Sequence, residues 1–126
     1  EVEKALKGSK VLVPGVAYKK DIDDLRESPA LEILDLLSQK GVVVSYHDPY
    51  VPEIIADGHT PPGAVGVSVA FTDAVLRAAD AVMVVTDHSS IDYGRVCTHA
   101  QLVIDTRNAC AKHEMTHPAR AVVAHV

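Results

Sequence analysis

A short apolar strand, a glycine, a polar loop and an amphipathic helix constrain the fold of this chain most strongly. Residues 10–14 are few and apolar, which favours a buried strand, and Gly15 lets the backbone turn sharply where that strand ends. Ser28 and Pro29 suit the N-cap and the first position of a helix. A second, β-branched strand at 42–46 completes a β-α-β unit, which implies parallel strands and a right-handed crossover.

Periodicity and capping residues place the remaining elements. After Pro29, apolar residues recur at helical spacing at Ala30, Ile33, Leu34 and Leu37. Gly41 then closes the predicted helix. Thr72 caps a predicted helix that runs through Ala79. We further predict a short helix at 52–56, a strand at 81–85, a short helix at 91–97, a strand at 102–104 and an edge strand at 121–124. This alternation of strands and helices predicts an α/β fold.

Length and charge limit the classes of function. A chain of 126 residues with 48% hydrophobic and 23% charged residues is expected to form one globular domain, at 10–126, after a linker or helix end at 1–9. The net charge of −5 argues against a nucleic-acid partner. No apolar run approaches the ~20 residues of a membrane span and no signal peptide is evident, so we expect a cytoplasmic protein without a membrane partner. The first residue is Glu1 instead of Met, which indicates a piece of a longer protein.

Positive charges gather in the loop after the first strand. Lys19, Lys20 and Arg26 lie between Gly15 and the start of the helix. In open α/β sheets, ligands bind at the carboxyl ends of the strands. Lysine as a point charge and arginine as a bidentate donor both suit phosphate at such a place. The loop therefore indicates an anion site, with solvated surface lysines as the alternative.

Four segments carry a family resemblance. The run Gly-x-x-Tyr-Lys-x-x-x-x-Asp-x-Arg-Glu-Ser-Pro at 15–29 is followed by Tyr-His-Asp-Pro at 46–49, Thr-Asp-His at 86–88 and Ile-Asp-Thr-Arg-Asn at 104–108. In this order they resemble the C-terminal, UDP-binding domain of the UDP-glucose/GDP-mannose dehydrogenase family. The opening run and residues 46–52 look most like the enzymes that act on UDP-N-acetylhexosamines.

The resemblance implies both a fold and an activity. The fold is a Rossmann-like three-layer α/β sandwich with a mainly parallel sheet. The activity is the NAD-dependent oxidation of the C6 alcohol of a UDP-sugar to a carboxylate, in two hydride transfers and through a cysteine that precedes this domain. NAD is bound mainly by the N-terminal domain of the same chain. The resemblance thus implies two partners for this domain, the UDP-sugar and the N-terminal domain. The family also implies a homo-oligomer for the full-length enzyme, and no catalysis by this fragment alone.

The resemblance also assigns site residues. The positions of Tyr18 and Lys19 contact the nucleotide-sugar, that of Arg107 contacts the substrate, and that of Arg26 lies near the nicotinamide held by the other domain. Arg107 points into the same crevice as Lys19 if their strands are neighbours. Ion pairs are the alternative for both arginines, since Asp105 precedes Arg107 and acidic residues flank Arg26.

Asp48 and the pair Asp87–His88 follow predicted strands, where polar residues often bind ligands. An acid at the position of Asp48 binds ribose in dinucleotide folds. The first strand, however, is not followed by Gly-x-Gly-x-x-Gly, so we predict that Asp48 starts a turn. We expect Asp87 and His88 to be loop residues and not an acid-base pair.

The segment 113–117 formally matches the zinc protease motif His-Glu-x-x-His. Pro118 disfavours the helical geometry that this motif needs, so we expect no metal site. Cys97 and Cys110 lack metal or redox spacing; we favour two reduced thiols over a disulfide and assign neither as nucleophile. A GDP-mannose dehydrogenase domain, a non-catalytic Rossmann-like assembly module and a zinc hydrolase are the alternative functions.

Overall fold

The computed structural model describes residues 7–16, 29–56, 60–86, 91–105 and 120–122. In chain order these contain β1 (Lys10–Pro14), α1 (Pro29–Gln39), β2 (Val43–His47), β3 (Glu53–Ile54), β4 (Gly66–Val67), α2 (Asp73–Ala78), β5 (Ala81–Val84), α3 (Tyr93–His99), β6 (Leu102–Asp105) and β7 (Arg120–Val122). A 3₁₀ turn at Pro62–Ala64 precedes β4.

Within the described residues, the main sheet has five strands in the order β2-β1-β5-β6-β7, and every neighbouring pair is parallel. The strands β3 and β4 form a separate antiparallel pair. In this order the chain moves outward from β1 to β2 and then crosses back to β5 on the other side of β1. Such a reversal is a topological switch point, and it lies between β1 and β5. The prediction of a mainly parallel α/β sheet is confirmed.

Helices cover both faces of the sheet because its strands are apolar on both sides. In β1, Val11 and Val13 pack in the core cluster that contains the buried residues of α1. Leu12, which points to the opposite face, packs in the second cluster with the buried residues of α2 and α3. All three strand residues are at most 2% exposed. The predicted three-layer sandwich is confirmed.

Capping residues explain where the helices begin. The Thr72 side chain accepts a hydrogen bond from the Val75 amide, as its N-cap prediction requires. The last helix starts at Tyr93, two residues later than predicted, because Asp92 acts as its N-cap and accepts from the Arg95 amide. The predicted closing glycine of α1, Gly41, adopts φ +84°. Ser28 lies outside the described residues.

The helix predicted at 52–56 is wrong. Residues Glu53–Ile54 form β3 and pair with β4. The two isoleucines at 54 and 55 are β-branched, and burial of Ile54 in the α1 core cluster stabilises the extended form. A two-residue strand carries no periodic signal, and its partner strand lies twelve residues further along the chain, so tertiary packing overrides local propensity here.

The close approach of Gly63 to α1 gives a testable stability effect. A Cβ at Gly63 would lie 2.7 Å from Asp35 Oδ1 and 2.8 Å from the Asp35 Cα, which belongs to the helix backbone. We therefore expect Gly63→Ala to lower the free energy of unfolding by about 1–3 kcal/mol, as overpacking does. Gly66→Ala is the matched control, because nothing lies within 4 Å of its added Cβ. Urea unfolding of both variants checks this, and equal stabilities would contradict the packing described.

Candidate functional site at the carboxyl edge of the sheet

Buried polar side chains mark one edge of the main sheet. Among the described residues with assigned burial, the buried polar or charged ones are Asp48, Thr86 and Asp105. Asp48 directly follows β2, Thr86 lies two residues after β5, and Asp105 is the last residue of β6. Burying such groups is costly without hydrogen bonds. Their common position at the carboxyl ends of parallel strands marks the edge where ligands bind in open α/β sheets.

The end of β1 turns away from the sheet at Gly15. Gly15 has φ +88°, a conformation that other residues rarely adopt, and its N–H donates to the His47 carbonyl at 2.6 Å. The prediction of a glycine turn after the first strand is confirmed. Val16, which follows, is fully buried. The next segment of the chain therefore departs from a fixed point at this edge.

The end of β5 is held in a similar way from the start of α3. The Tyr93 hydroxyl donates to the Thr86 carbonyl at 3.0 Å, and both residues are buried. The strands β1 and β5 flank the switch point. Hydrogen bonds therefore fix both of the strand ends that border this crevice. Sequence reasoning missed this contact, since Tyr93 had been assigned only to a helix.

Asp48 forms the predicted turn and also a longer-range contact. Its Oδ1 accepts from the Tyr50 amide at 2.8 Å, which confirms the turn, and its Oδ2 accepts from the Val16 amide at 2.8 Å. At 1% exposure, this carboxylate is not accessible to ribose hydroxyls. Together with the absence of Gly-x-Gly-x-x-Gly after β1, this means that the described residues do not fit an NAD site.

The predicted ligand-binding side chains lie outside the described residues. This holds for Tyr18, Lys19, Arg26 and Arg107, and equally for the segments 87–88 and 106–119, which include His88, Cys110 and the His-Glu-x-x-His match. The roles of these residues stay predictions. The buried Cys97 packs in the α2–α3 core cluster.

The strands that precede Lys19 and Arg107 are not neighbours. In the sheet β5 lies between β1 and β6, so the condition under which Arg107 was expected to share a crevice with Lys19 is not met. Two strand spacings separate the two strand ends by about 10 Å. Sequence reasoning could not give the strand order, because β5 enters the sheet by a crossover.

Within the described ranges, no group of three or more histidine, cysteine, aspartate or glutamate side chains is placed to hold a metal ion. No helix in the same ranges is long and apolar enough to cross a bilayer.

Tyr46, next to this edge in β2, gives a prediction at alkaline pH. Burial raises the pKa of its hydroxyl to about 12, and the negative charges of Asp48 and Glu53 add to the effect. The unfolded chain titrates near 10, so it loses the proton first as pH rises. The contribution of Tyr46 to the free energy of unfolding is therefore constant below pH 10 and falls as pH rises from about 10 to 12.

Tyr46→Phe isolates this effect. The variant loses the hydrogen bond from the hydroxyl to the Val51 carbonyl, about 1 kcal/mol, but it has no proton to lose. We expect the stability difference between wild type and variant, measured by urea unfolding, to shrink or reverse above pH 10. A constant difference up to pH 12 would contradict the assignment.

The fold is that of an α/β domain whose buried polar strand ends lie at the edge where ligands bind in such sheets. The chain belongs to the UDP-glucose/GDP-mannose dehydrogenase family: the profile of its UDP binding domain matches residues 12–112. The family resemblance drawn from the sequence motifs is thus confirmed.

Individual relatives agree with this membership. The chain is 30% identical over 107 residues to the UDP-N-acetyl-D-mannosamine dehydrogenase of Methanococcus vannielii, covering 79% of this chain and 22% of that protein. It is 32% identical over 120 residues to the UDP-glucose 6-dehydrogenase TuaD of Bacillus subtilis, covering 88% of this chain and 24% of that protein. The chain therefore spans about a quarter of the length of such relatives.

Solved structures agree in fold. The UDP-N-acetyl-mannosamine dehydrogenase Cap5O of Staphylococcus aureus matches with a TM-score of 0.66 and 29% identity, over 94% of this chain and 27% of that one. The UDP-D-ManNAc dehydrogenase of Pyrococcus horikoshii matches with a TM-score of 0.66 and 26% identity, over 96% of this chain and 28% of that one.

Proposed function

We propose that this chain is the C-terminal UDP-sugar-binding domain, at 10–126, of a cytoplasmic, NAD-dependent UDP-N-acetylhexosamine 6-dehydrogenase. The observation that carries the proposal is the match of the family's UDP binding domain to residues 12–112. In the intact enzyme, an N-terminal domain binds NAD and oxidises the C6 alcohol of the sugar to a carboxylate. The misfit between Asp48 and a ribose supports the assignment of NAD to that other domain.

Chain connectivity supports a phosphate site at this edge. Lys19 follows the buried Val16 by three residues, and Arg107 follows Asp105, at the end of β6, by two. At 3.8 Å between consecutive Cα atoms, neither lies more than about 11 Å from its described anchor. In the sequence, both cations thus closely follow strands that end at the carboxyl edge, where a nucleoside diphosphate is proposed to bind.

Each proposed residue has a positional role. Lys19 and Arg107 hold the diphosphate, Tyr18 contacts the nucleotide-sugar, and Arg26 faces the nicotinamide of the other domain. None of them performs the oxidation. Fixed cations orient the substrate so that its C6 atom meets the reacting groups elsewhere, which converts binding energy into correct placement. The same enzyme is proposed to form a homo-oligomer.

The substrate class is inferred from relatives. Three of the relatives described above are named for UDP-N-acetyl-mannosamine, as is a second Methanococcus protein that is 36% identical over 80 residues. TuaD, named for UDP-glucose, is similarly close. The opening run at 15–29 favours the N-acetylhexosamine.

Thermal unfolding with a panel of nucleotides tests the proposal. We expect UDP and UDP-N-acetylmannosamine to raise the melting temperature of the chain, because ligands that bind only the folded state stabilise it. GDP-mannose and NAD are the controls and should leave it unchanged. A larger shift with GDP-mannose would assign the domain to the other branch of the family. No shift with any uridine compound would contradict the proposal.

A further inference from the structure

The outer edge of β2 is open in the described part of the chain. Among the described strands, β2 pairs only with β1 and ends the main sheet on that side. In a parallel pair, every second residue of a strand bonds to the neighbouring strand, as Val43 does when its N–H donates to the Ser9 carbonyl at 2.8 Å. The residues in between turn their backbone groups away from β1: Val42, Val44 and Tyr46.

Hydrogen bonds within the chain occupy only part of this edge. The Val42 N–H donates to the Leu37 carbonyl at 3.1 Å, and the Tyr46 carbonyl accepts from the Val69 N–H at 2.8 Å. In the described part of the chain, no hydrogen bond occupies the Val42 carbonyl, the two backbone groups of Val44 or the Tyr46 N–H. Unpaired groups along a strand edge are a template for pairing with another strand.

The unpaired groups are self-complementary about Val44. When the β2 strands of two copies align antiparallel with Val44 opposite Val44, each Val44 N–H donates to the Val44 carbonyl of the other copy. In the same register, Tyr46 lies opposite Val42 of the other copy, and its N–H donates to that Val42 carbonyl. Each group left unpaired in one copy thus finds a partner in the other. The groups already occupied within the chain are not needed.

The composition of β2 favours such pairing. Natural edge strands commonly carry charged residues or proline that prevent it, whereas residues 42–46 read Val-Val-Val-Ser-Tyr. Two chains of net charge −5 therefore meet along a seam that carries no charged side chain. In this register Val43, which is 57% exposed in one copy, lies beside Ser45 of the other copy and is covered.

Exposed apolar side chains gather on the same flank of the sheet. A groove between residues 44–46 of β2 and residues 63–67 leaves the edge accessible from the side of α1. Contiguous exposed apolar surface commonly marks an interaction site. Of the large apolar side chains exposed in the described part of the chain, all but Leu36 belong to residues 43–67: Val43, Tyr50, Ile55, Val65 and Val67.

We propose that this flank is an interface between two copies of the chain, in which antiparallel β2 strands join the two main sheets into one. The arrangement has a two-fold axis at Val44, so both copies contribute the same surface. It gives the proposed homo-oligomer a specific interface. The pairing needs no nucleotide, so a failure to bind UDP would contradict the proposed function and leave this proposal standing.

Opposite charges at Val44 test the proposal, because Val44 faces its own copy across the axis. Sedimentation equilibrium is measured for the wild-type chain, for Val44→Lys, for Val44→Glu and for an equal mixture of the two variants. We expect a wild-type dimer. Each variant alone should associate about tenfold more weakly or less, because like charges then lie opposite each other. The mixture should restore association, because opposite charges then pair.

Ala78→Lys and Ala78→Glu are the matched controls. Ala78 is exposed and ends α2, which packs on the opposite face of the sheet from the Val44 side chain. Both controls should dimerise as wild type does, alone and mixed. Equal losses in the Ala78 and Val44 variants would place the contact elsewhere and overturn the proposal.

Hydrogen exchange of the wild-type chain locates the seam. We expect protection of the Val44 and Tyr46 amides to rise with chain concentration, whereas that of the Val43 amide, which bonds to Ser9, stays constant. If neither Val44 variant folds, this measurement decides alone. Protection at Val44 that does not depend on concentration would mean that the same chain covers the edge, and it would overturn the proposal. So would a wild-type chain that stays monomeric at millimolar concentration, or folded variants whose mixture does not associate.

Discussion

Leu34→Ala is expected to lower the free energy of unfolding by about 2–5 kcal/mol, the range measured when buried leucines are truncated. Leu34 lies on α1, is 2% exposed, and belongs to the core cluster that contains Val13 and Tyr46. Alanine forms helices at least as well as leucine, so the loss comes from the removed contacts and the cavity left behind. A loss of this size is a large part of the stability of a small domain.

Leu36→Ala is the matched control on the same helix. Leu36 is 53% exposed, so its truncation should change stability by no more than about 0.5 kcal/mol. Urea unfolding at one temperature gives both values. Similar losses for the two variants would mean that α1 does not present Leu34 to the sheet as described.

Lys19→Ala is expected to weaken UDP binding by about ten- to a hundredfold. A hydrogen bond between the ammonium group and a phosphate oxygen contributes about 1.5–3 kcal/mol, and each 1.4 kcal/mol is a factor of ten in affinity. The net charge of −5 makes this local cation more important, because the rest of the chain does not attract an anion. Arg107→Ala is expected to act in the same direction. Equilibrium dialysis with labelled UDP measures the effect.

Lys10→Ala is the matched control for charge. Lys10 is exposed and begins the same strand, β1, at the opposite edge of the sheet, about 13 Å from the carboxyl end of that strand. Its replacement removes one positive charge without touching the proposed site, so UDP affinity should stay unchanged. If both variants lost UDP affinity equally, the effect would come from net charge and not from a contact with Lys19. If Lys19→Ala lost no UDP affinity, the alternative of solvated surface lysines would be supported.

The sequence predicted most of the fold because its signals were local. The apolar run at 10–14, the helical spacing after Pro29 and the Thr72 cap each act within one element, and each is found in the structure. The failures involve partners distant in sequence. The strand β3 forms against β4, where a helix was predicted. The order of β1, β5 and β6 was not predicted, because it depends on a crossover that no local pattern reveals.

The candidate site was predicted in part. The turn at Gly15 was recognised because a glycine directly follows the apolar strand, and its φ of +88° is one that glycine adopts readily. The turn at Asp48 was recognised as well, but not its bond to Val16, because a contact over 32 residues has no sequence signature. The charge and position of the loop indicated an anion site near Lys19, whereas the individual roles of Tyr18, Lys19, Arg26 and Arg107 came from the family resemblance; all stay predictions.

Calorimetric titration of the chain with UDP tests the central claim most directly, with GDP and NAD as parallel titrants. We predict saturable binding of UDP at one site, with weaker or no binding of GDP and none of NAD. Binding of GDP as tight as that of UDP would contradict the assignment to a UDP-sugar enzyme. The absence of heat with all three nucleotides would contradict a nucleotide site at the carboxyl edge of this sheet.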